Sequence, residues 1–173
     1  MENFKALYKE IAQKISDNVP AIKWIDLWNS QVYKLEGEHP FPAPAVFLAL
    51  RSNDMKSMGV KVQNVQIQLD VFLFYETFAD TYKGSWNQDE ALSFLDNIDL
   101  INKVLHGSNG NGYTNMERVS FSPVDTGGAG NLYSITYQCS SIDYSAAEVF
   151  EDGTFADLNI EPNNPTGYII DNA

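Results

Sequence analysis

The stretch VQIQLDVFLFYE, residues 65–76, places Val65, Ile67, Leu69, Val71, Leu73 and Tyr75 at odd positions and Gln66, Gln68 and Asp70 between them. A pleated strand has a side-chain period of two, so this alternation predicts one long strand with its odd face against a core. Phe72 and Phe74 interrupt the polar face near the end of the stretch. The strand is therefore expected to be covered on both sides there. Upstream, Val60 and Val62 keep even register, so the apolar phase changes between Val62 and Val65. Keeping one face buried through that change predicts a bulge or tight turn at Gln63 and Asn64.

Downstream, Asn87 followed by Glu90 has the spacing of a capping box. Ala91, Phe94, Leu95, Ile98, Ile101, Val104 and Leu105 then form an apolar stripe that stops before Gly107, which predicts a helix over 87–105. A Gly/Asn loop over 108–115, a short strand over 116–121, a Gly-rich turn over 123–131 and a strand over 132–142 complete a hairpin. Upstream of the long strand, Phe4, Leu7, Tyr8, Ile11, Ala12, Ile15 and Val19 recur at helical spacing, and Pro20 ends that helix near Asn18. One strand with an irregular end is expected over 22–35. A proline-rich lead-in then brings in a second strand over 45–50, followed by a polar, flexible segment over 51–59. The expected fold class is α+β: a single mixed, mainly antiparallel sheet packed by an N-terminal helix and a central helix. Residues 1–145 make the domain, and 146–173 an acidic, extended C-terminal arm containing Phe150, Phe155, Ile160, Tyr168, Ile169 and Ile170.

Bulk properties narrow the function. The chain has 173 residues, enough for one core, and 44% hydrophobic content, which excludes general disorder. Eleven basic against 23 acidic residues give a formal charge of −12, which opposes a stable grip on a phosphate backbone. No Lys or Arg follows Arg118, so the last third is purely anionic. The longest apolar run, 43–50, falls far short of the ~20 residues that span a bilayer. Residues 1–10 mix charges among apolar positions and lack the pattern of a secretory signal, so synthesis and assembly in a cytoplasm are expected.

No residue cluster announces a chemistry. Cys139 is the single cysteine and follows Tyr133, Ile135 and Tyr137 on one strand face, as a core thiol would. Asp96 and Asp99 share a helix side without a third ligand, and His39 and His106 lack metal-site spacing; His106 is explained by a helix C-terminus, which favours a cation. Ser52, Ser57 and Ser85 have no nucleophile-elbow setting. Gly127, Gly128 and Gly130 precede a strand, where a phosphate loop would precede a helix. The 108–115 loop holds no carboxylate for calcium. Trp24, Trp28 and Trp86 would suit a sugar platform, though core and interface packing is the commoner use of such residues. No catalytic, cofactor-binding or metal-ligating residue is assigned, and an enzyme is not expected.

Over roughly residues 4–144 the order of elements resembles the tail terminator proteins of long-tailed phages. The resemblance lies in Trp24, Ile25, Asp26 and Leu27 followed by Gln31, in the lead-in Phe41, Pro42, Ala43, Pro44, Ala45 and Val46, and in the 65–76 strand leading to the 91–105 helix. These parts are similar to small neck and tail-completion proteins in phages and prophages of Bacteroidetes. The resemblance implies a virion protein without an active site. It forms a ring, usually of six copies, on the end of the tail tube, stops tube growth and meets the head connector. The arm after Tyr144 is longer than that family's usual ending. A ring needs a different patch for each neighbour, and Met55, Met58, Val60, Val62, Tyr168, Ile169 and Ile170 are the expected interface residues. The acidic balance is expected to extend to the ring's inner wall, where DNA would slide past without sticking. The alternatives are a head-side connector or stopper subunit, and a carbohydrate- or ligand-binding module.

Overall fold

The computed structural model describes residues 2–33, 40–76, 80–127 and 130–148. Helix α1, Glu2–Asn18, forms because Leu7, Ile11, Ile15 and the following Val19 step by four and line one side of it. All four are essentially sealed from solvent, each contributing about 1.5–3 kcal/mol by burial. The Val19 N–H still donates to the Ile15 carbonyl at 2.8 Å, and Pro20 stops the series there.

The strands are β1 (Trp24–Leu27), β2 (Ala45–Gly59), β3 (Val62–Tyr75), β4 (Thr114–Val124) and β5 (Asn131–Asp143). They form one five-stranded sheet in the order β1-β2-β3-β5-β4. Only β1 and β2 run parallel. This is the mixed, mainly antiparallel α+β architecture that the periodicities predict. A parallel pair needs a crossover, and the chain between β1 and β2 includes the short 3-10 turn Gln31–Tyr33 where a continued strand was expected. Its Trp28, Val32, Phe41 and Ala43 pack with Phe47, Phe72, Phe74 and Leu132 on the face away from the helices. Phe72 and Phe74 are thus covered, as their place in the strand requires.

The opposite face carries the main core. Val65, Ile67, Leu69, Val71 and Leu73 of β3 meet Val46 and Leu48 of β2, Ile135, Tyr137 and Cys139 of β5, and the inner sides of the helices. The chain between β3 and β4 is helical but broken: α2 covers Gln88–Leu92 and α3 covers Phe94–Leu105. At Ser93 the N–H bonds back to Glu90 at 3.2 Å while its hydroxyl donates to the same carbonyl at 2.8 Å, replacing the regular ladder with a tighter turn. Asn87 makes no side-chain cap; its side-chain oxygen accepts from the Ser85 hydroxyl at 2.5 Å instead. The expected capping box is therefore replaced by a serine-held turn. Gly107, at φ +74°, ends α3 as its position predicts.

Two further expectations are corrected. Residues 51–59 are the outer half of β2, made regular by pairing with β3 from Arg51↔Gln68 to Gly59↔Val62. No bulge falls at Gln63 and Asn64, which pair evenly with Asp143 and Ile142 of β5. The phase change is not absorbed: β3 alternates evenly through it, so Val62 and Val65 point to opposite faces, and the register shifts of the hairpin lie in β2, between Ser52 and Asp54 and between Ser57 and Gly59. Lys61, at φ +61°, makes the tight turn before Val62. In the final hairpin, β4 is longer than expected and takes in Pro123, paired with Tyr133. Proline is tolerated there because β4 is an edge strand.

Candidate interaction surface

Because β1 pairs only with residues 45–48 of β2, the outer half of β2 has no strand neighbour on its far side among the described residues. There every residue from Arg51 to Lys61 is solvent-exposed. Met58 and Val60 sit at its tip, 59% and 88% exposed, and Val62 opens β3 partly covered beside them. Met55 is also exposed but belongs to a different surface, an apolar groove that it lines with Phe4, Tyr8, Leu27 and Leu50. The four described interface candidates are thus divided between tip and groove. Tyr168, Ile169 and Ile170 lie outside the described residues.

The tip is tethered. Lys61 pairs with Glu148, tying the segment after β5 to the hairpin turn. Asp143, at the end of β5, accepts the Ser145 N–H at 2.8 Å, and this backbone bond holds its carboxyl below the ordinary aspartate range.

Away from the helices, the middle of the sheet is polar and ordered around one buried acid. Asp70 is 2% exposed and accepts from Thr136 at 2.8 Å, from Gln68 at 3.0 Å and from Arg51. Burying an anion is tolerated only with such partners. Further out, Asn53 donates to Gln68 at 2.9 Å and Gln66 to Ser140 at 2.8 Å, so cross-strand amide and hydroxyl pairs replace apolar packing. Periodicity reveals Asp70 as a polar position. What it could not reveal is that Thr136 of β5 and Arg51 of β2 converge on it.

On the opposite edge, β4 exposes Val119 and Phe121. Phe121 stacks on Tyr133 at 5.3 Å, and Tyr133 continues through Phe94 at 5.4 Å to Tyr75 at 5.2 Å. This row of rings links the edge to the N-terminal turn of α3.

The other sequence candidates are separated. Trp28 stacks on Phe72 at 4.1 Å inside the smaller core, Trp24 lies at the start of β1 beside α1, and Trp86 projects from the turn before α2. They do not share one setting. Cys139 is buried, and burial pushes its thiol up to about 11. The same cause raises the Tyr137 phenol beside it. His106 does not reach the helix carbonyls with its ring; its Nδ1 accepts the Arg118 N–H at 3.1 Å, bracing α3 against β4. Asp96 and Asp99 are exposed, and no metal-holding group of His, Cys, Asp or Glu occurs among the described residues. His39 lies outside them. The 108–115 loop does meet a carboxylate, supplied by Glu10 of α1. That residue accepts from Asn111 at 3.1 Å and pairs with Lys14 at 3.0 Å. Lys14 also donates to Tyr113 and to the Asn109 carbonyl, so a lysine occupies the place that a cation would take.

Fold and surface define an α+β protein distinguished by a projecting hairpin and three separate exposed apolar regions: the tip, the groove and the β4 edge. No family model matches the chain, and no curated protein matches it. No helix among the described residues is long and apolar enough to cross a membrane.

Proposed function

We propose that this protein is a structural virion component of a long-tailed phage. In this reading it forms a ring at the head-proximal end of the tail tube, ends tube growth and joins the head connector. The observation that carries the reading is the placement of exposed apolar side chains on unlike surfaces. Met58 and Val60 lie at the hairpin tip, and Val119 and Phe121 at the β4 edge. A closed ring uses two different patches per subunit, one for each neighbour, whereas a two-fold dimer uses one patch twice. The order of elements quoted above supports the same assignment.

The partners are further copies of the chain, six being the usual number in the proteins it resembles, the tail tube protein and the head–tail connector protein. DNA passes through the lumen, and the formal charge of −12 favours sliding over binding. The protein assembles in the bacterial host cytoplasm and ends in the virion neck.

Light scattering on the purified chain, alone and with tail tubes, tests the reading. The expected result is a multi-subunit ring. In the double variant Met58→Glu/Val60→Asp the mass falls to one subunit while the unfolding midpoint is unchanged. A single-subunit mass at every concentration, with no binding to tube ends, overturns it.

A further inference from the structure

The groove between α1 and the β1–β2 side of the sheet has a volume of about 600 Å³. Tyr8, Leu27, Leu50 and Met55 give it an apolar lining, and Lys5 and Arg51 border it. Lys9 and Lys23 continue the basic border along α1 and into β1, so four of the chain's 11 basic residues stand on this one side. Arg51 is engaged with Asp70, but Lys5, Lys9 and Lys23 make no ion pair among the described residues. Asp26 is an acid on this side; its charge, after burial, helps raise the Tyr8 phenol and its side chain accepts the Leu27 N–H.

We propose that this groove seats the chain's own residues 168–171, folded back from the hairpin tip. Tyr168, Ile169 and Ile170 fill the apolar floor and Asp171 meets the basic border. Charge complementarity supports this occupant: residues 149–173 contain five acidic residues and no Lys or Arg. So does reach. The described chain stops at Glu148, which Lys61 holds at the tip. Along β2 the groove runs from Met55 back to Leu50, four to nine residues from Gly59, about 13–30 Å at strand rise. The nineteen residues 149–167 have a coil end-to-end distance of about 22–26 Å. A linker whose mean length matches its span gives the highest effective concentration, so the seat is filled by the same chain ahead of a neighbour's. The three apolar arm residues then belong to the subunit's own body, and the hairpin tip is left for contacts between copies.

The test uses the full chain carrying Leu27→Cys and Ile169→Cys; Cys139 is buried and stays out of the exchange. Mild oxidation at low micromolar concentration is expected to give an intrachain disulfide in most molecules. Persisting free thiols, or disulfides between chains, overturn the proposal. As a second readout, Ile169→Asp/Ile170→Asp is expected to speed amide exchange in residues 24–28 about tenfold, an effect that high salt reproduces in part in the wild type. Unchanged exchange overturns it. Both measurements are made on the isolated subunit, so failure to form a ring leaves them standing.

Discussion

The two halves of the β2–β3 hairpin are built from the same backbone pairing and differ in almost everything else. In the inner half, Val46 and Leu48 face α1 while Ala45 and Phe47 meet the aromatic layer beneath, and all four are fully buried. In the outer half both faces of β2 meet solvent and the cross-strand partners are mostly amides, hydroxyls and charges. Hydrogen bonding alone therefore does not distinguish scaffold from working surface. What distinguishes them is which side chains have a second layer to pack against.

Truncation breaks the comparison most sharply. Phe47→Ala removes a ring that meets Phe41 at 4.9 Å and Trp28 at 6.0 Å, and is expected to cost about 3–5 kcal/mol in denaturant unfolding. Met58→Ala in the outer half is expected to stay within about 0.5 kcal/mol. Equal losses at the two sites would mean that the halves are not distinct.

Cys139, paired with Ile67, tests how far burial extends toward the outer half. Its thiol titrates at about 11 when folded against an ordinary 9.0, so its contribution is complete below pH 9 and is lost as pH rises toward 11. The loss is on the order of 2–3 kcal/mol, since each tenfold change in proton affinity is worth about 1.4 kcal/mol. The stability difference between wild type and Cys139→Ala should therefore shrink over that range. A difference independent of pH would place solvent at the thiol. Tyr137 is present in both proteins and cancels.

Asp70 lies where the halves meet. Asp70→Ala strands the Thr136 hydroxyl and the Gln68 amide, and is expected to cost about 1–3 kcal/mol by thermal or chemical denaturation. Arg51→Met, which removes only the exposed partner, should cost less than about 1 kcal/mol. A reversed order would make the ion pair, and not the neutral donors, the support of the buried acid.

Sequence made the inner half legible because burial there is periodic: 69, 71 and 73 state the face outright, 65 and 67 carry it on along β3 opposite the outer half of β2, and 7, 11, 15 and 19 state the matching helix stripe. The outer half of β2 was hidden because its regularity comes from β3, not from its own side chains. RSNDMKSMG has a loop's composition and becomes a strand only through its partner. The break at Ser93 was hidden for a similar reason, since the apolar stripe runs across it and only the serine hydroxyl competes with the ladder. The candidate surface was half visible. Met55, Met58 and Val60 stand out as apolar residues in a polar segment, but nothing local says that Met55 turns toward α1. Convergence of Leu27, Leu50 and Tyr8 on one groove is a product of the β1-β2-β3 order.

The extra residue at Asn53 gives the hairpin a rule for its own variation. Pairing passes from Ser52↔Ile67 to Asp54↔Gln66, so the bulge takes up one residue of β2, and the second shift between Ser57 and Gly59 takes up another. Deleting Asn53 would leave Asp54 opposite Gln66 and Met55 opposite Val65, so the facing of the outer half would be unchanged, whereas pairing Asn53 itself with Gln66 would turn Met55 away from the groove. Changes made in matched pairs beyond it would lengthen or shorten the arm and leave every facing intact. Length changes in the hairpin are therefore expected either at these bulges, one residue at a time, or as matched steps on both strands.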